Sequence, residues 1–164
     1  MMETMLLAAQ LVAQAADPRK TVVNVGGWQI TSRINPLDDS KVANGVMLDA
    51  KTRVALMIRC TSGEAGVLLV WGRYLRGAVA QVTTRVGAAK AVEQAWPILT
   101  DHRATMHPDP NAFIAELAVS DRLVAQAVPA DGTPVTVVFA LEGVDQVVKA
   151  VRDACPLSSP REKR

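Results

Sequence analysis

Short stretches of alternating apolar and polar residues, separated by turn residues, constrain the fold of this chain more than any other feature. In Trp28–Ile34 the side chains of Trp28, Ile30 and Ile34 fall on one face of an extended backbone. A period of two residues is typical of a strand that buries one face. The links between the stretches are brief turns rather than helices, which favours antiparallel neighbours. Further strands are predicted at Thr21–Val25, Lys41–Ala50, Val54–Cys60, Gly66–Trp71, Ala78–Val86, Arg122–Val128 and Pro134–Leu141.

Four local details of the sequence make separate predictions. Gly66–Trp71 is apolar on both faces, which is typical of a strand at the centre of a covered sheet. Asn44 and Gly45 are a turn or bulge signal inside a predicted strand. The segment Pro129–Thr133 contains Asp-Gly and predicts a hairpin turn. The Ala-rich stretch Ala88–Ala95 is compatible with a helix and with a strand.

Two segments have the spacing of helices rather than strands. Phe113, Ile114 and Leu117 follow a stretch of capping residues and predict a short amphipathic helix. Valines that recur from Val144 to Val151 predict a closing helix. The elements together predict an α+β, mostly β fold. We expect an antiparallel β-sandwich or barrel-like sheet of about seven strands, with two packed helices and an N-terminal helix or signal-like segment.

The length of 164 residues predicts a single domain, which we place at residues 21–156. Residues 1–17 are interpreted as either an N-terminal helix or a signal-like segment. Met5–Ala13 is apolar, and Ala13-Gln14-Ala15 fits a small-x-small cleavage site, whereas Glu3 and the absence of a preceding Lys or Arg favour the helix. Residues 157–164 are predicted to be a flexible polar tail.

The charge balance argues against a nucleic-acid partner. The 18 basic and 16 acidic residues give a net charge of +2 and are spread along the chain, whereas nucleic-acid-binding proteins concentrate Lys and Arg on one face. Three Trp, one Tyr and two Phe are few for a base-stacking platform. No apolar run is long enough for a membrane-spanning helix, so an integral membrane segment is not expected.

The stretch INPLDDSK, from residue 34 to residue 41, has two interpretations. The adjacent carboxylates of Asp38 and Asp39 beside Ser40 could form a catalytic or metal-binding corner. However, Asn35-Pro36 is a strong turn initiator, and Asp and Ser side chains bond to backbone amides in such turns. We therefore predict that this stretch is a structural turn, and that Trp28 belongs to the same structural signature.

The search for catalytic groups favours a protein that is not an enzyme. A nucleophile needs a base, and the two histidines, His102 and His107, lie in a turn-rich segment without a nucleophile motif around them. Solvated loop histidines are the preferred interpretation. The spacing of Asp, Cys and His is too generic to predict a metal site, and no cofactor is expected.

The turn Gly72–Arg76 is a candidate surface for binding a partner protein. It carries Arg73, Tyr74 and Arg76, and Arg and Tyr are favoured at protein interfaces. A solvated turn after the preceding strand is the alternative.

The two cysteines, Cys60 and Cys155, lie far apart in the sequence. They could be two buried free thiols or one disulfide, and the residues alone lean toward the thiols because unpaired Cys is commonly buried as a small hydrophobic residue. A disulfide would close a loop of roughly 95 residues and stabilise the fold by about 4–5 kcal/mol in the chain-entropy model.

A set of short motifs runs from Trp28 to Cys155 in a defined order. They are Trp28-x-Ile30, Asn35-Pro36-Leu37-Asp38-Asp39-Ser40, Leu56-x-Ile58-Arg59-Cys60, Val70-Trp71-Gly72, Thr84-Arg85, Trp96, Phe113-Ile114-x-x-Leu117, Pro134–Phe139 with Leu141-x-Gly143, and Ala154-Cys155. In these motifs the chain resembles the VasI/TagO-like family, accessory proteins associated with type VI secretion in Gram-negative bacteria. The resemblance implies a β-rich domain of the envelope or periplasm with a Cys60–Cys155 disulfide. It transfers no catalytic residue.

We therefore expect a non-enzymatic, protein-binding accessory module of the bacterial cell envelope, with a secretion or envelope component as its partner. The alternative is a phage- or prophage-encoded protein, structural or inhibitory to a host machine, that acts in the cytoplasm with a retained N-terminal helix and free thiols.

Overall fold

A computed structural model describes residues 17–156 of the chain. These residues form ten strands and two helices, with the strands arranged in two antiparallel sheets. The elements in chain order are β1 (Lys20–Val25), β2 (Trp28–Ile34), β3 (Lys41–Leu48), β4 (Ala55–Thr61), β5 (Glu64–Val70), β6 (Val79–Val86), β7 (Val92–Pro97), β8 (Ala104–Met106), α1 (Pro110–Ala118), β9 (Arg122–Ala127), β10 (Val135–Ala140) and α2 (Val144–Ala154). The segments 1–16 and 157–164, for which the sequence predicts a helix or signal and a polar tail, lie outside the described residues.

In the first sheet, β1 to β5 form consecutive antiparallel hairpins, and the short strand β8 pairs with β5. The order of this sheet is β1-β2-β3-β4-β5-β8, and the second sheet has the order β10-β9-β6-β7. The first hairpin is tight, because Val25 pairs with Trp28 across the two residues Gly26 and Gly27. Gly26 has a φ of 53°, a left-handed conformation that glycine adopts without steric cost.

The core lies between the two sheets, and α2 packs against the inner face of β2, β3 and β4. Its valines Val144, Val147, Val148 and Val151 are buried at helical spacing. Gly45 makes this close approach of helix and sheet possible, because a methyl group there would overlap Val147.

The helix α1 begins as its sequence predicts. The side chain of Asp109 accepts a hydrogen bond of 3.2 Å from the backbone N–H of Ala112, and Pro110 occupies the first helical turn. The helix buries Phe113, Ile114 and Leu117, the three residues that predicted it.

The predicted fold class is confirmed, although the structure has ten strands rather than about seven. Two of the strands, β7 and β8, were not predicted. β7 lies at a sheet edge and buries Trp96 alone among its six residues, so its sequence shows little alternation. β8 has three residues, too few for a period to be seen. The ambiguous stretch Ala88–Ala95 is turn at residues 88–91 and strand at residues 92–95, which begin β7.

The turn or bulge predicted at Asn44 and Gly45 is wrong. β3 pairs continuously on both sides, with Gly45 opposite Ile30 in β2 and Ile58 in β4. The glycine serves helix packing rather than a change of chain direction. The hairpin predicted around Asp131 is confirmed, since β9 and β10 pair from Ala127 and Val135 onward.

The strand predicted at Gly66–Trp71 is confirmed as β5, but its predicted position at the centre of a covered sheet is wrong. β5 lies one strand from the β8 edge, and its outward side chains are on the face opposite α2. Within residues 17–156 no second layer covers this face. A row of apolar residues crosses it from strand to strand, namely Val46, Met57, Leu68 and Met106. These side chains shelter one another, which explains why β5 is apolar on both faces.

Candidate interaction site

A groove runs between the inner face of β1–β3 and one side of α2. We call it the α2 groove, and its volume is about 510 Å³. This volume lies in the range of binding pockets, about 300–1,000 Å³. Its apolar lining includes Val23, Ile30, Ile34, Ala43, Ala150 and Ala154, together with Pro18 and Val42.

The strand register places these side chains on one face. Val23 lies opposite Ile30, and Ile30 lies opposite Gly45, so the inner face continues from β1 through β2 to β3. The core and α2 bury Ile30, whereas Val23 on the same face is 44% exposed. The apolar inner face of the sheet therefore extends past the part that α2 covers, and this extension is the floor of the groove.

β1 forms one edge of the six-stranded sheet, with no strand on its other side among the described residues. The N–H of Ile34 donates to the carbonyl of Arg19 at 3.2 Å, which makes these two residues a hydrogen-bonded pair of the antiparallel ladder. Alternation then directs the backbone groups of Lys20, Val22 and Asn24 away from β2. The C=O groups of Lys20, Val22 and Asn24 and the N–H groups of Val22 and Asn24 thus point outward from the edge of the sheet, whereas the N–H of Lys20 donates to the carbonyl of Asp17 at 3.0 Å.

The rim of the groove carries more positive than negative charge. Lys149 donates to the Asp153 carboxylate at 2.8 Å, and both side chains are exposed. The hydrogen bond and charge of Asp153 raise the pKa of Lys149. The hydrogen bond from Lys149, with the charges of Lys149 and Lys41, lowers the pKa of Asp153. Arg19 and Lys41 also line the groove, and neither has an ion-pair partner within the described part of the chain.

The candidate turn Gly72–Arg76 divides into inward and outward side chains. Arg73 is half-buried and donates from Nη1 to the carbonyls of Thr52 (3.2 Å) and Trp71 (3.4 Å), so it supports the loop. Tyr74 is 54% exposed and stacks on His102 with 5.2 Å between ring centroids. Arg76 is exposed. Binding of a partner by this turn stays a prediction, and only Tyr74 and Arg76 present their side chains for it.

The two histidines bond to the main chain. His102 Nδ1 lies 3.1 Å from the carbonyl oxygen of Leu75. His107 Nδ1 accepts a hydrogen bond of 2.9 Å from the N–H of Asp109, and its ring stacks on Phe113 at 4.3 Å. Burial is the main reason that the pKa of His107 is lowered. Neither histidine shares a hydrogen bond with a Ser, Thr or Cys side chain in the described chain.

The residues of INPLDDSK bond to one another. Asn35 Oδ1 accepts from the N–H of Leu37 (3.1 Å), and the Asn35 carbonyl accepts from the N–H of Asp39 (2.9 Å). Asp38 Oδ1 accepts from the N–H of Ser40 (3.0 Å), and hydrogen bonds from Ser40 lower the pKa of Asp38. This is the bonding of an Asx-type turn. Trp28, grouped with these residues from the sequence, lies in the core and is 1% exposed.

No group of three His, Cys, Asp or Glu side chains that could hold a metal ion is found among residues 17–156. Over the same residues, no helix is long and apolar enough to cross a membrane.

The predicted disulfide is confirmed. Cys60 in β4 is bonded to Cys155 at the end of α2, with 5.7 Å between the Cα atoms and 95 residues of separation. Both cysteines are buried. The bond fastens the end of α2 to the sheet beside the α2 groove, since Ala154 lines that groove.

The groove and the outward groups of β1 were not predicted. The sequence held one signal for them, the Gly26-Gly27 hairpin that defines β1 and its register. The second wall of the groove is α2, more than 100 residues later, and no local pattern states which strands that helix covers.

Comparison with known proteins supports the fold. No protein-family model matches the chain, and no curated protein matches it. The fold is similar to that in the crystal structure of invasion associated protein B from Bartonella henselae, with a TM-score of 0.58 and 14% sequence identity. The match covers 81% of this chain and 96% of that chain. At this identity the likeness concerns the fold alone, and it does not identify the VasI/TagO-like family.

Proposed function

We propose that this chain is a non-enzymatic, protein-binding accessory module of the bacterial cell envelope, and that it docks its partner along β1 and the α2 groove. The observation that carries the proposal is that the edge of β1, which no other strand of residues 17–156 pairs with, lies beside an apolar groove. Unpaired edges of sheets are sites where other chains add. An apolar cleft with a few polar groups at its rim is the usual form of a binding site.

The Cys60–Cys155 disulfide supports the proposed localisation in the cell envelope. Disulfides form and persist in oxidising compartments and are rare in the cytosol. The fold shared with a protein named for its association with invasion agrees with an accessory protein of a secreted type. The motif resemblance makes the more specific suggestion of a type VI secretion-associated protein of the VasI/TagO-like kind.

The phage or prophage alternative assumed a cytoplasmic protein with free thiols. The disulfide favours the envelope proposal over that alternative. The non-enzymatic part of the proposal is supported by the hydrogen bonds of His102 and His107, which go to backbone groups rather than to a nucleophile.

The proposal can be tested by photo-crosslinking in the cell that makes the protein. A photo-reactive amino acid replaces Val22, which is 48% exposed on the β1 edge strand. The matched control replaces Val138, which is 52% exposed on β10, an edge strand of the other sheet. We expect a discrete adduct with an envelope protein from position 22 and none from position 138. The proposal is wrong if position 22 gives no adduct, or if both positions give the same adducts.

A further inference from the structure

We propose that the element bound at this site is an extended peptide segment that adds to β1 as a further strand, with apolar side chains in the α2 groove and a carboxylate at the rim. This inference rests on the proposed function and specifies the chemistry of the partner.

The outer edge of β1 carries backbone groups to which an added strand can bond. The outward C=O groups of Lys20, Val22 and Asn24 and the outward N–H groups of Val22 and Asn24 recur at every second residue, which is the spacing with which one strand bonds to the next. The N–H of Lys20 is bonded to the carbonyl of Asp17. No Pro or bulge blocks this edge between residues 20 and 25. Among edge strands, such an unblocked one is open to strand addition.

The α2 groove can receive the side chains of an added strand. An added strand continues the alternation of the sheet, so every second side chain lies on the inner face beside Thr21 and Val23. That face leads into the groove, whose floor is formed by Ile30 and Ala43 and whose wall is Ala150 of α2. Alternate apolar side chains of the peptide can therefore enter a preformed groove of about 510 Å³ that has apolar residues on its floor and wall.

The charges at the rim of the α2 groove favour an acidic peptide. Arg19, Lys41 and Lys149 line the groove with one acidic residue, Asp153, which is already bonded to Lys149. Asp17 accepts a hydrogen bond from the N–H of Arg19 and is the other nearby carboxylate. The excess of positive charge along the groove favours a peptide with a carboxylate over one with an ammonium group.

The test uses two synthetic heptapeptides with blocked ends, in which valine alternates with threonine. One has glutamate at both ends and the other has lysine. Binding to the full chain is followed by NMR titration and by amide hydrogen exchange of β1. We expect the glutamate peptide to bind at least fivefold more tightly than the lysine peptide and to slow exchange at Val22 and Asn24.

A backbone variant separates strand addition from side-chain contact. Val22→Pro removes an outward N–H and leaves the bonds between β1 and β2 in place, because Val22 is not a hydrogen-bonded partner of Thr31. Val22→Thr is the matched control, since it keeps the N–H and the β-branched shape. We expect Val22→Pro to weaken binding of the glutamate peptide at least tenfold and Val22→Thr to change it less than threefold.

A second test changes the backbone of the peptide instead of the protein. Its result therefore does not depend on how well Val22→Pro folds. The glutamate peptide is made with alternate N-methylated residues, in both registers, and one register should lose binding. The inference is overturned if both registers bind as the parent peptide does, if Val22→Pro binds as Val22→Thr does, or if neither peptide binds. If an adduct forms at position 22 while the peptides fail, the protein-binding function stands without strand addition. If the peptides bind while no adduct forms, the proposed function fails.

Discussion

His107 illustrates how the environment of a single side chain sets a measurable pH dependence. Its ring packs between Phe113 and Trp96, and burial lowers its pKa below the ordinary value of 6.5. The unfolded chain therefore takes up this proton at a higher pH than the folded chain does. Because the unfolded state then binds more protons, the stability that the neutral ring contributes is present above pH 6.5 and is lost as the pH falls below it.

We predict that His107→Asn reduces the pH dependence of the free energy of unfolding between pH 7 and pH 5. The asparagine side chain keeps an acceptor for the N–H of Asp109 and cannot titrate. The measurement is urea unfolding of the variant and of the wild type at four or five pH values. An equal slope in His107→Asn and the wild type would contradict the assignment.

Residues whose roles depend on near neighbours could be predicted, and the others could not. Asp38 and Ser40 were predicted to close a turn, and the bonds that do so span two residues. Arg73 was assigned to a binding surface, yet its guanidinium reaches Thr52, 21 residues earlier in the chain. No pattern near Arg73 indicates that carbonyl, so its inward orientation could be found only in the structure.

The packing of α2 on the sheet depends on one position of β3. A methyl group at Gly45 would overlap Val147, whereas a methyl group at Gly66 in β5 would lie 3.4 Å from the end of the Arg59 side chain, which can move. We predict that Gly45→Ala lowers the free energy of unfolding by about 1–3 kcal/mol, the usual cost of overpacking. Gly66→Ala should stay within about 1 kcal/mol of the wild type.

Urea denaturation of the two glycine variants provides the measurement, and both positions are in mid-strand of the same sheet. Equal stability of Gly45→Ala and Gly66→Ala would show that α2 does not approach β3 as described.

Whole elements were predicted where they are long and periodic. The alternation in β2 and β4 and the valine spacing in α2 gave these elements correctly, because each buries one continuous face. β7 and β8 were missed for the opposite reason. β7 buries Trp96 alone, and β8 has only three residues and pairs with β5, which is not its neighbour in the sequence.

At the scale of the molecule, the sequence could not predict the order of the strands in the sheets. It also could not predict which face of each sheet is covered by a helix or by the other sheet. The fold class followed from the elements, but the α2 groove exists because one helix covers β2–β4 and leaves β1 open. The disulfide was expected only through the motif resemblance, since residues 60 and 155 carry no local sign that they meet. The candidate site is thus a property of the assembled sandwich.

The central claim is that the chain works as an oxidised protein of the cell envelope, and the most direct test is its intact mass. Protein isolated from the cell that makes it is treated with an alkylating agent, with and without prior reduction. We predict a chain that begins near residue 16, takes up no alkyl group before reduction and takes up two afterwards. A chain that begins at Met1 and is alkylated at both Cys60 and Cys155 without reduction would contradict the account.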